Sequence, residues 1–147
     1  MIEDFRGRYR WLSNFYMAPV KFEGVMYPSS EHAYQAAKTL VPEKREWVRE
    51  ASTPSSAKRR GQVVPLRPGW DEMKSEVMLR IVQDKFRRNP GLAALLLATG
   101  EQPLVEGNVW HDNFFGDCSC FDCRTIEGQN WLGRCLVQVR SQLRNEP

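Results

Sequence analysis

Apolar and polar positions along the chain alternate at first and then recur every three to four residues. The alternating stretch is Val20-Lys21-Phe22, Glu23-Gly24, Val25-Met26-Tyr27. It predicts a short β-hairpin turning at Glu23-Gly24. Pro28 and Ser29 then read as a helix start, with Ser29 as the cap. At about 100° per residue, Glu31, Tyr34, Gln35 and Lys38 fall on one helix face. Ala33, Ala36, Ala37 and Leu40 fall on the opposite face, which predicts close packing against a neighbour. An ordinary surface helix turns leucine or isoleucine to the core and scattered charge to water. Here an acid, a base, an amide and a phenol share one side.

Upstream, Trp11-Leu12-Ser13-Asn14-Phe15 reads as a turn-like segment rich in aromatics. Downstream, a helix is predicted over about 44–50, and Pro54 restarts the chain into a short piece ending at Gly61. Pro65 to Trp70 reads as loop. Asp71 is predicted to cap the longest helix, which runs to about Arg88 with Met73, Val77, Ile81 and Phe86 as its apolar stripe. Asn89-Pro90 ends it. Leu92 to Ala98 predicts a nearly all-apolar helix closed by Gly100. Leu104-Val105-Glu106 reads as a short buried strand and Trp110 to Gly128 as loop. From Asn130 a last helix runs to about Leu143, burying Leu132, Leu136, Val139 and Leu143. The class is α+β: a helix-dominated single domain with a small β-sheet.

With 147 residues, 41% of them hydrophobic, the chain reads as one domain over 1–147 with a real core. It has no apolar run long enough to span a membrane. Met1 to Arg6 is acidic and lacks the apolar region of a signal peptide, so a cytoplasmic protein is expected. Twenty-one basic residues against eighteen acidic ones leave a net charge of +3. That balance is unlike a dedicated DNA-binding domain and fits phosphate held at a local site.

Glu31 and Lys38 can be read as an exposed ion pair or as catalytic groups. Buried, Glu31 would serve as general acid or base and a desolvated Lys38 as a nucleophilic amine. Trp110 to Asp117 sets aromatics around Asp112 in a loop, either as a site or as a hydrophobic plug with Asp112 capping backbone amides. The late cluster of the four cysteines argues against a disulfide framework. Cys118, Cys120 and Cys123 would need His111 or Cys135 as a fourth zinc ligand, and reduced structural thiols are the preferred reading. No metal or cofactor is expected. Lys58-Arg59-Arg60 reads as a solvated face, with a phosphate contact from one of the three as the minority reading.

Several separate motifs follow in a fixed order. They are Ser13-Asn14-Phe15; Ser30-Glu31-His32 through Gln35 and Lys38; Ala57 with Gly61; Pro65-Leu66-Arg67 before Trp70, Lys74, Val77 and Met78; and Lys85-Phe86. Then come Leu95 to Thr99, Leu104-Val105-Glu106, Asp112 before Phe114-Phe115-Gly116, Gly128-Gln129-Asn130-Trp131-Leu132-Gly133, and Val139-Arg140. Together they resemble the YbiA-like, or NADAR, family over Trp11 to Leu143.

The resemblance implies an N-glycosidase. Its expected substrates are ribosylamino-pyrimidine 5′-phosphates of early riboflavin biosynthesis, or ADP-ribose attached to guanine, free or in DNA. A binding module for ADP-ribose or a nucleotide, without turnover, is the alternative. By resemblance, Glu31 is the essential glutamate, Lys38 the lysine proposed to form a Schiff base with opened ribose, and Asp112 the late aspartate. Trp70 and Phe115 are expected against the base, with Phe115 standing where relatives usually have Trp. Ser13, Asn14, Gln35 and Asn130 are expected to bond sugar and base edges, and Arg67 and Lys74 the phosphate. Phe15 and His32 complete the expected binding set, although a lone histidine is more often a structural group. Gln62 stands where relatives often carry Arg, and Val137 where Met is usual. No membrane partner is expected, and the oligomeric state stays open.

Overall fold

The computed structural model describes residues 1–146. By its internal contacts the chain falls into two compact units. One is Asn14–Asn89, and the other is Met1–Ser13 with the chain from Pro90 onward.

In the Asn14–Asn89 unit, β1 (Met17–Phe22) and β2 (Val25–Ser29) form the predicted antiparallel hairpin. Val20 pairs with Tyr27, Lys21 with Met26 and Phe22 with Val25. Glu23 and Gly24 both take positive φ (46° and 85°), the turn geometry that matches strand twist. Ala18, Val20 and Phe22 point inward while Met17 and Lys21 face out, as strand periodicity requires. Then follow α1 (Ser30–Ala37), α2 (Pro42–Arg49), α3 (Pro54–Gly61) and α4 (Trp70–Arg88). α1 sits at the centre of this unit, packed on the hairpin and against α2, α3 and α4. Ala33, Ala36 and Ala37 are sealed, so neighbouring backbones approach closely.

Two expectations are corrected here. The α4 cap is Gly69, in the left-handed region at φ 75°, and not Asp71. Glycine turns the chain into the helix one residue earlier. Asp71 stays in the first turn, where its charge suits the positive end of the helix. Leu40 is exposed, because α1 ends at Ala37 and Pro42 starts α2 before Leu40 can join the alanine face. The α4 stripe is broader than predicted: Val77, Met78, Ile81, Val82, Lys85 and Phe86 are all buried, while Met73 is half-buried. Lys85 apart, burying one of these apolar side chains contributes about 1.5–3 kcal/mol.

The other unit holds a 3-10 helix (Gly7–Leu12), α5 (Pro90–Ala98), β3 (Gly107–Asn108), β4 (Asp117–Cys118) and α6 (Trp131–Asn145). α5 packs on α6. Arg140, on α6, is buried and satisfied by donating to Thr99 Oγ1 (2.9 Å) and to the Gln102 carbonyl (2.8 Å). Of the apolar α5 run only Leu96 is buried. The strand expected at Leu104 to Glu106 shrinks to one bridge, Leu104 with Ile2. The expected loop from Trp110 to Gly128 contains β4, which pairs in parallel with β3. Leu143 is half-buried; Leu132, Leu136 and Val139 are buried as expected. The α+β, helix-dominated class holds, with two small sheets in place of one. Among the described residues no helix is long and apolar enough to cross a membrane.

Candidate active site

The site begins with the cap of α1. Ser29 Oγ accepts from the His32 backbone N–H (3.2 Å), as predicted. The His32 ring is fully buried. Its Nε2 meets the Ala51 carbonyl at 2.9 Å and therefore donates, so in the neutral ring Nδ1 accepts from the Ser29 hydroxyl (2.7 Å). Both ring nitrogens are thus committed to protein atoms, and His32 ties α1 to the α2–α3 connection.

Glu31 follows on the same first turn and is only 7% exposed. Its backbone N–H donates to the Asn14 carbonyl (3.0 Å), which joins the entry segment to the helix. One turn on, Gln35 Nε2 donates to Glu31 Oε1 at 2.7 Å. This bond orients the Gln35 amide, since an amide nitrogen can only donate and so faces an accepting oxygen. Gln35 Oε1 is buried and has no hydrogen-bond partner among the described residues. Gly61, at the end of α3, makes room for this arrangement. A Cβ there would lie 2.0 Å from Gln35 Oε1. Asn14 is itself buried, its amide against Met78 Sδ (3.5 Å).

Lys38 is the C-cap of α1 and half-buried. Its amine lies 5.8 Å from the centre of the Tyr34 ring, which in turn packs 5.4 Å from Trp70 at a tilt of 57°. Burial holds the amine below the ordinary lysine value. The Glu31 charge opposes this, and the charges of Lys58 and Lys74 add to it. Lys38 therefore feels the charges of Glu31, Lys58 and Lys74. Lys58 is exposed on α3, as the solvated-face reading expects, yet its charge reaches Lys38 from another helix. Lys74 also pairs with Asp71 (3.4 Å). Arg67 is engaged elsewhere: its guanidinium pairs with Glu23 (3.1 Å) and reaches the Ala37 carbonyl, and its backbone N–H donates to the Lys38 carbonyl (2.7 Å). It closes the C-terminal end of α1 against the hairpin turn. Trp70 is buried and Phe15 is exposed.

In the other unit, Asp112 Oδ1 accepts from the backbone N–H groups of Phe114 (3.1 Å) and Phe115 (3.0 Å). This shapes the aromatic loop, where Phe114 and Phe115 meet edge to face at 4.7 Å. This is the backbone capping that the hydrophobic-plug reading of Asp112 expects. Asn130, at φ 53°, staples backbone: its Oδ1 accepts from Glu106 N–H (3.0 Å) and its Nδ2 donates to the Leu104 carbonyl (2.9 Å). Ser13 ends the 3-10 helix, its N–H on the Arg10 carbonyl. A cleft of about 340 Å³ in this unit, edged by Glu3, Asp4, Asn108 and Ser119, holds none of the expected catalytic residues.

The model of the NADAR domain matches residues 3–144. The chain belongs to the NADAR domain family. Among its relatives is N-glycosidase YbiA of Escherichia coli (strain K12), 39% identical over 133 residues, covering 89% of this chain and 79% of that protein. N-glycosidase Npun_R5314 of Nostoc punctiforme is 32% identical over 146 residues, covering 93% and 87%. Riboflavin biosynthesis protein VVA0006 of Vibrio vulnificus is 38% identical over 135 residues, covering 90% of this chain but 35% of that longer protein. The NMR structure of E. coli YbiA superposes with a TM-score of 0.80 at 35% identity, covering 98% of this chain and 87% of the other. In this NADAR chain, Glu31, Gln35 and Lys38 lie together on α1, with Gly61 of α3 against Gln35.

Proposed function

We propose that this N-glycosidase of the NADAR family hydrolyses the ribose C1–N bond of a ribosylamino-pyrimidine 5′-phosphate. The observation that carries the reading is the pairing on α1 of a buried carboxylate, oriented by Gln35, with a lysine whose amine burial renders more easily neutral. Relatives named for riboflavin biosynthesis support the substrate class. So do the charges of Lys58 and Lys74 acting on Lys38, which gather positive charge beside the proposed nucleophile. The family match spans both compact units, which supports reading them as one NADAR domain.

In this mechanism Glu31 protonates the ribose ring oxygen, and the lone pair of the exocyclic nitrogen opens the ring to a C1=N iminium. The neutral Lys38 amine adds to C1. Glu31, now the base, shuttles the proton from the lysine nitrogen to the pyrimidine amine, which leaves as the C1–N bond breaks. The Lys38 imine that remains is hydrolysed by water, returning the lysine and releasing ribose 5-phosphate. Lys58 and Lys74 hold the phosphate and keep Lys38 from protonating. Trp70 with Tyr34 gives the base an aromatic neighbour.

Mass spectrometry of the products tests this reading. The ribosylamino-pyrimidine phosphate and a guanine-ADP-ribosylated DNA oligonucleotide are each incubated with wild-type protein and with Glu31→Gln. Ribose 5-phosphate from the first substrate, in wild type alone, is expected. Loss of ADP-ribose from the oligonucleotide alone would move the substrate to the DNA adduct. Binding of either without turnover would make the chain a binding module.

A further inference from the structure

The loop after β3 folds back on itself and gathers four soft donors. His111, Cys118, Cys120 and Cys123 each bring one ligand atom to a place where all four lie within 4.8 Å of one another. His111 Nδ1 is 3.3 Å from Cys120 Sγ and 3.4 Å from Cys123 Sγ. In a tetrahedral zinc site with bonds of about 2.3 Å to sulfur and about 2.0 Å to nitrogen, such edges measure about 3.6 Å. Small side-chain rotations therefore separate the observed cluster from a closed coordination shell.

The backbone is shaped for the same purpose. The Cys118 sulfur accepts N–H groups from His111 (3.3 Å) and Cys120 (3.5 Å), which suits a sulfur that carries negative charge. A turn from Cys120 to Cys123, closed by Cys123 N–H on the Cys120 carbonyl (3.1 Å), brings those two thiols to one side. His111 takes φ 70°, in the left-handed region that residues other than glycine seldom adopt. From this backbone position its ring meets Cys120 and Cys123. Cys118 is held at the end of the β3–β4 pairing, with its own N–H on Asn113 Oδ1 (2.8 Å). Cys135 is buried on α6 and is not a member of the group.

We propose that His111, Cys118, Cys120 and Cys123 bind one zinc ion as a closed, structural site. Three thiolates and an imidazole select a soft, tetrahedral divalent ion, and four protein ligands leave no position for a substrate. The ion locks the loop in which His111 directly precedes Asp112, so it sets the position of the Asp112–Phe115 turn without entering the reaction. The site is independent of the glycosidase reading.

The test is metal analysis of the full-length protein purified without chelator, followed by exchange into cobalt. The expected result is one zinc per chain, released when a mercurial titrates the thiols. Cobalt-loaded protein should show sulfur-to-cobalt charge transfer and the visible bands of a tetrahedral ion. Cys120→Ser and His111→Ala should each lose most of the zinc, whereas Cys135→Ser should retain it. Because the cobalt spectrum is read on wild-type protein, a variant that fails to fold does not obscure the result. Folded wild-type protein that holds no zinc and gives no tetrahedral cobalt spectrum would overturn the proposal, as would a disulfide among Cys118, Cys120 and Cys123 in the protein as isolated.

Discussion

At the residue scale, the proposed chemistry rests on the Glu31–Gln35 bond and the Lys38 amine. Replacing Glu31 by Gln keeps the shape but removes proton exchange. The expected loss in kcat is about 10²–10⁴-fold, with an unchanged circular dichroism spectrum. In the proposed mechanism Lys38 must be neutral to attack C1, so kcat should rise as pH passes upward through its depressed pKa. Lys58 and Lys74 help to depress it. Replacing both with Gln should move this acidic limb to higher pH and raise KM through the lost phosphate contacts. A pH–rate profile of kcat and kcat/KM separates the two effects, and an unmoved limb would deny the lysines their electrostatic role. The helical period was enough to place Glu31, Tyr34, Gln35 and Lys38 on one face from sequence. It could not reveal Lys58, which belongs to another helix, nor that both nitrogens of His32 are spent on Ser29 and Ala51.

At the element scale, the approach of α3 to α1 decides the geometry. Gly61→Ala would drive a methyl group into the Gln35 side chain, whose Oε1 is the nearest atom at 2.0 Å. The expected outcome is an overpacking cost of about 1–3 kcal/mol in urea unfolding, with a fall in kcat as Gln35 leaves Glu31. Stability and rate both at wild-type level would show that Gln35 does not orient the carboxylate. The hairpin, the Ser29 cap and the order of helices were legible, because strand alternation and capping are local signals. The Gly69 cap and the β3–β4 pairing were not. The first depends on a left-handed glycine and the second on contacts distant in sequence. Arg67 shows the same limit. A basic residue in a loop motif suggests phosphate, yet its guanidinium is engaged by Glu23 and the end of α1.

At the scale of the whole molecule, Lys85 leaves a signature in stability. It is wholly buried beside the Tyr16 and Phe86 rings, and burial lowers its pKa to about 7 from 10.5. Between these values the unfolded chain holds a proton that the folded chain has given up. Unfolding free energy should therefore climb with pH from about 7 toward about 10 and level off below about 7. Tyr27, whose hydroxyl is raised by burial, acts in the opposite sense only near pH 10 and above. Urea titrations across the lower window should show the climb in wild type and a shallower one in Lys85→Met. Equal slopes would place the buried charge elsewhere.

The central claim is that Lys38 attacks C1 of the sugar. Borohydride added during turnover of the ribosylamino-pyrimidine phosphate would reduce the imine to a stable secondary amine. Peptide mass spectrometry then locates it. The account expects a pentose-phosphate adduct on Lys38, absent from Lys38→Arg, which should also lose turnover. An adduct confined to another lysine, or full turnover by Lys38→Arg, would contradict it.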